Sequence, residues 1–143
     1  MKFIGIDPDL HLNGMATLEN GRYTELRVIS FPDLCALMSS NINNPNILFV
    51  IEDVNKHKPT FPRGKHTQAV YNNISQKVGM VKGIGTKIVE MLEYYHCNYE
   101  LVAPLKSGKL KAEYFERLTG WVGRSNQDNR DAAMLIYRYK NAK

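Results

Sequence analysis

Five consecutive large apolar residues, Ile47-Leu48-Phe49-Val50-Ile51, run directly into Glu52-Asp53. A half-wet strand alternates apolar and polar side chains, whereas an unbroken run of this length reads as a strand covered on both faces, usually parallel to a neighbour. A second apolar run, Phe3-Ile4-Gly5-Ile6, stops at Asp7-Pro8, where the proline ends regular structure. Residues 14–18 and 23–29 are two further strands, separated by Asn20-Gly21. That dipeptide tolerates positive φ at both central positions of a tight hairpin. The chain therefore opens with three antiparallel strands.

Pro32 starts a short helix to about residue 38, and Asn-Ile-Asn-Asn-Pro-Asn at 41–46 is a loop. After a polar, basic segment at 55–66, the apolar positions Ile74, Val78, Val81, Ile84, Ile88, Met91 and Tyr95 recur every three or four residues, one long helix. Residues 99–102 form a brief fifth strand, and 107–118 and 126–139 two closing helices. The order βββαβαβαα predicts an α/β fold: a ribonuclease H-like, mixed five-stranded sheet flanked by helices. A chain of 143 residues, 43% apolar, suits one domain over 1–143 with one core. No apolar run reaches the roughly 20 residues that cross a bilayer. Asp7 also interrupts any signal-peptide core, so a cytoplasmic setting is expected. Cys35 and Cys97 stand far apart without metal-ligand spacing and read as reduced thiols.

Four acids stand out by position. Asp7 ends the first strand and Glu52 the buried one, while Asp128 and Asp131 lie three apart on one face of the last helix. With strands one and four adjacent, Asp7 and Glu52 project near one another, and the last helix can bring its pair to the same point. Four converging carboxylates repel unless cations relieve them, and an all-oxygen set suits Mg²⁺ or Mn²⁺. Two such ions serve in-line phosphoryl displacement. Each acid also has a plainer role. Asp7 is a turn former before proline, and Glu52 marks where a strand meets solvent. Ser125-x-x-Asp128 fits a helix cap, and Asp131 a first-turn acid favoured by the helix dipole.

Ile4-Gly5-Ile6-Asp7-Pro8-Asp9-Leu10 followed by Asn13-Gly14 resembles the opening motif of RuvC-type Holliday junction resolvases. Val50-Ile51-Glu52 is similar to their second motif, and Asp128-Asn129-Arg130-Asp131-Ala132-Ala133 to their closing helix. Lys77-Val78-Gly79-Met80-Val81-Lys82-Gly83 resembles their central helix. The ordered set runs from residue 4 to about 137, and in its shortness the chain is more similar to phage-encoded relatives than to cellular ones. The resemblance implies catalytic, metal-binding roles for Asp7, Glu52, Asp128 and Asp131, with two Mg²⁺ ions per site and Mn²⁺ able to substitute. It also implies a homodimer that makes paired, symmetric nicks in branched DNA and leaves 5′-phosphate ends, in a bacterial or phage-infected cell. Three departures stand out: Asp9 replaces a usual glycine, Asn55 replaces a usual base-stacking aromatic, and the segment from Glu52 to Gly79 is longer by about a dozen residues.

Two basic segments suit DNA. The first carries Lys56, Lys58, Phe61, Arg63 and Lys65 directly after Glu52, with Phe61 a substitute for the aromatic missing at Asn55, or else a ring that packs down. The second holds Lys106, Lys109 and Lys111, in a region where the family's lysines contact scissile-strand phosphates. Arg124 and Arg130 bracket the last acid pair and either touch DNA or neutralise carboxylates. Gly79 and Gly83 each cost roughly 1 kcal/mol in a helix interior. They call for close approach of another backbone, either the sheet beneath or the same helix of a second subunit; the resemblance implies the latter.

Three other readings compete. Actin-like ATPases share the opening pattern but need a second domain. A catalytically weak branched-DNA binder has no use for four acids beside phosphates. An RNA-processing nuclease of the same fold is the third. The expectation is a Mg²⁺-dependent crossover junction endodeoxyribonuclease.

Overall fold

Parallel pairing of the two apolar runs builds the centre of the sheet. In a computed structural model describing residues 1–56, 67–106 and 108–142, β1 (Lys2–Asp7) lies beside β4 (Ile47–Glu52), with Phe3 opposite Leu48, Gly5 opposite Val50 and Ile6 opposite Ile51. On its other edge β1 pairs antiparallel with β2 (Asn13–Glu19), which pairs in turn with β3 (Arg22–Ile29). Asn20 and Gly21 turn this hairpin at φ 50° and 74°, as the dipeptide predicts. β5 (Tyr99–Val102) adds in parallel to β4, giving the mixed sheet β3-β2-β1-β4-β5.

Side chains alternate across a strand, so each strand feeds two cores. Ile4, Ile6, Met15, Phe49 and Ile51 face α1 (Phe31–Ser39) and α2 (Gln68–Tyr94), packing with Leu34, Met38, Ile88 and Leu92. Phe3, Ala16, Leu18 and Val50 face α3 (Ala112–Thr119) and α4 (Gln127–Ile136), packing with Phe115, Ala132, Ala133 and Ile136. β4 is thus covered on both faces, as its unbroken apolar run requires. Among the described residues, no helix is long and apolar enough to cross a membrane.

The helices depart from expectation in instructive ways. The long helical pattern is helical throughout, but only Gly85, Ile88 and Leu92 are buried, while Val70, Ile74 and Met80 stay exposed. A helix of 27 residues spans roughly 40 Å, about twice the reach of the six-residue β4, so its first half outruns the sheet. Gly79 and Gly83 lie on that outer surface. A Cβ at either would meet nothing within 4 Å, which rules out the sheet as the reason for these glycines. The glycine that does need close approach is Gly85, where a Cβ would stand 2.5 Å from Val54.

α3 begins at Ala112 rather than 107, because Gly108 sits at φ +71°, outside the right-handed helix. α4 is capped by Asn126, not Ser125. The Asn126 side chain accepts the Asn129 backbone N–H and the Asn129 side chain accepts that of Asn126, both at 2.9 Å. The Asp128 carboxylate is therefore not the cap. After Ile136 the last turns tighten to a 3₁₀ segment, Tyr137–Asn141.

Candidate active site

Asp7 and Glu52 lie one residue beyond the last paired positions of β1 and β4, Ile6 and Ile51. Parallel strands in register turn equivalent side chains to the same face. For these two that face is the one carrying Gly5 and Val50, under α4.

Two glycines set how closely α4 can approach. A Cβ at Gly5 would stand 2.2 Å from the Ala132 carbonyl oxygen, and one at Gly14 only 2.0 Å from that of Asp128. Gly14 is also the residue paired with Asp7 across β1 and β2. The helix backbone thus rests directly on bare backbone at the end of the sheet that carries Asp7 and Glu52, bringing the first turn of α4 over Asp7. Tyr23 clamps the same helix further along, donating its hydroxyl to the Ala133 carbonyl at 2.8 Å. Reading the sequence identified the acids but not these spacers. The signal was present: a glycine in a strand often marks close approach of another backbone.

The convergence appears in the electrostatics. Burial pushes Asp7 up from its ordinary 3.8 to about 8, and the carboxylates of Glu52, Asp131, Asp128 and Asp9, in that order, add to the rise. Asp128 is also raised, by burial first and then by Asp9 and Asp131, while Lys109 pulls it back. Asp9, the residue in place of the motif's glycine, is thus a fifth acid in the same field. Among the described residues, no three Asp, Glu, His or Cys side chains stand close enough to enclose one ion. Asp131 is drawn to Gln127, whose amide donates to its Oδ1 at 2.6 Å.

The cations divide by what they touch. Arg130 braces the site: its guanidinium donates to the Leu110 carbonyl at 3.0 Å and the Ser125 hydroxyl at 2.9 Å. It therefore ties the α4 turn to the segment before α3 rather than neutralising an acid. Lys106, Lys109 and Lys111 are exposed on that segment, with Lys109 near Asp128. Lys56 ends a 3₁₀ turn, Val54–Lys56, and lies 4.0 Å from Asp53. Lys58, Phe61, Arg63 and Lys65 lie outside the described residues.

The sequence matches no protein-family model and no curated protein. Solved structures do match. Thermus thermophilus RuvC in complex with a Holliday junction substrate superposes with a TM-score of 0.57 at 15% identity, over 99% of this chain and 92% of that one. A structure titled Thermus thermophilus RuvC gives 0.54 at 14% identity, over 97% and 95%. The fold is RuvC-like. The RuvC-like strand order places Asp7 and Glu52 at neighbouring strand ends, and α4 crosses above them.

Proposed function

We propose that this chain is a metal-dependent endonuclease for branched DNA, with four-way junctions as its first substrate, acting as a homodimer of one nuclease domain. One observation carries the reading: Asp7 is half-buried at a strand end and held in the field of Glu52, Asp131, Asp128 and Asp9. Packing acids together destabilises a fold unless charge is returned to the site, and an all-carboxylate donor set fits hard divalent cations. Asp7, Glu52, Asp128 and Asp131 would hold them. Bound Mg²⁺ or Mn²⁺ supplies charge neutralisation and polarises the attacking water and the departing 3′ oxygen.

The chain's own residues then do four things. Asp7 gives up a proton as the site charges. Gln127 holds Asp131 at the helix face. Arg130 fixes the loop that carries Lys109 beside Asp128. Lys106, Lys109 and Lys111 engage backbone phosphates, and the segment with Lys58, Phe61, Arg63 and Lys65 provides a second contact. The exposed outer face of α2, with Gly79, Gly83, Val70 and Ile74, is the surface for the second subunit.

The experiment presents a synthetic four-way junction, a fork, linear duplex and structured RNA with Mg²⁺, Mn²⁺ or EDTA, with Asp7→Asn in parallel. Paired symmetric nicks in the junction, lost with EDTA and in the variant while binding persists, are expected. Tight binding without cutting under either metal would leave a structure-specific binder instead.

A further inference from the structure

Gln127, Arg130 and Asp131 stand three and four positions apart on α4 and share one helix face. One guanidinium ties that face to the lysine segment. Arg130 Nε donates to the Leu110 carbonyl at 3.0 Å, one Nη to the Ser125 hydroxyl at 2.9 Å and the other to Gln127 Oε1 at 3.4 Å. Gln127 in turn donates its Nε2 to Asp131 Oδ1 at 2.6 Å. A continuous hydrogen-bonded line therefore runs from the backbone between Lys109 and Lys111 to a carboxylate of the acid cluster.

The line has a direction. A side-chain amide can face its two neighbours either way round, but a guanidinium only donates and an ionised carboxylate only accepts. Arg130 therefore takes the Gln127 oxygen, which leaves the Gln127 amino group for Asp131. A carboxylate has several acceptor positions, so this one bond orients Asp131 and leaves capacity for a cation. At the far end the chain is less constrained. Residues 103–106 and 108–111 form neither helix nor strand, and Gly108 turns at φ +71°. The bond from Arg130 to Leu110 fastens that stretch to α4.

We infer that Arg130 and Gln127 are positioning residues that couple the two ends, so that a cation held by Asp131 stiffens the segment carrying Lys109 and Lys111. This rests on the metal-nuclease reading and adds to it a link between the metal site and the DNA-binding lysines. Charge alone predicts the opposite sign, because Lys109 lies in the field of Asp128 and a cation there repels it.

The test uses the full-length protein. Mn²⁺ is titrated by calorimetry, and the segment is followed by limited trypsin cleavage after Lys109, resolved by mass and normalised to a peptide substrate in the same buffer. In wild type, saturating Mn²⁺ should slow that cleavage about fivefold or more, since cleavage tracks the population of the open segment. Gln127→Met keeps the side chain neutral and similar in size but breaks the line. It should bind Mn²⁺ through the remaining acids about tenfold more weakly, and saturating Mn²⁺ should no longer slow cleavage. Arg130→Lys keeps the charge without the three-way fork and should weaken Mn²⁺ binding to a similar degree. The double variant should bind no more weakly than Gln127→Met alone, because two breaks in one line cost what one does. If Arg130→Lys does not fold, Gln127→Met on its half-buried helix face carries the test by itself. Wild-type cleavage that is unslowed or faster with Mn²⁺, unchanged affinity in Gln127→Met, or losses that add in the double variant would each overturn the coupling and leave the metal reading standing. Wild type that binds neither Mn²⁺ nor Mg²⁺ overturns both.

Discussion

Asp7 concentrates the tension at the scale of single residues. Its carboxyl, raised to about 8, keeps in the folded state a proton that the unfolded chain releases near 3.9. Between those values the native state binds more protons, so stability falls as pH rises. In EDTA the contribution is therefore full below about pH 4 and lost progressively towards pH 8, with Asp128 acting in the same direction. Asp7→Asn should flatten this profile and melt about 3 °C or more above wild type at pH 8 without metal. A variant that melts below wild type there would contradict the electrostatic account. Adding Mg²⁺ or Mn²⁺ should raise the melting temperature of wild type at pH 8 far more than at pH 5.5, because metal must displace the proton. The same variant should lose junction cutting by several orders of magnitude. The acids themselves were legible in the sequence, since Asp7 and Glu52 end strands, Asp128 opens a helix and Asp131 follows it three residues on, although α4 starts so that Asp131 falls beyond its first turn. Asp9 joining their field, and Gln127 holding Asp131, were not, because both depend on how α4 docks.

Among the elements, α4 decides whether a site exists. It lies on Gly5 and Gly14 with no room for a methyl group, 2.2 and 2.0 Å from its carbonyls. Gly14→Ala must push the helix off the sheet, at a cost of about 1–3 kcal/mol or more. Thermal melts should show it, and calorimetric titration should show weakened metal binding. A melt within a degree of wild type would remove the spacer argument. The cap is a milder case: Asn126→Ala loses one side of the reciprocal pair with Asn129 and should cost about 1 kcal/mol. For α2, periodicity gave the helix but not which half is covered. Exposure of Val70 and Ile74 follows from helix length against strand length, which only the assembled sheet reveals.

For the whole molecule, the balance between acid cluster and basic rim sets behaviour in solution. The formal charge is +5, with 19 Lys and Arg against 14 Asp and Glu, several of those acids concentrated at one sheet end. Junction affinity should fall steeply with salt, and Lys109→Gln with Lys111→Gln should each reduce the slope of log K against log salt by about one. The loss should be uniform across junction sequences, because phosphate contacts carry no base information. Sedimentation should give twice the chain mass, and Ile74→Glu on the exposed face of α2 should return the monomer without lowering the melting temperature of the isolated chain. The sequence by itself determined the strands, the Asn20-Gly21 hairpin, the layered order and the positions of four acids along them, because each is written in periodicity or turn chemistry over a few neighbouring residues. Only the tertiary structure decided that Gly14 meets Asp128, that Arg130 braces a loop and that half of α2 is uncovered. Those depend on contacts between elements far apart in the chain, where packing geometry rather than local preference selects the partner.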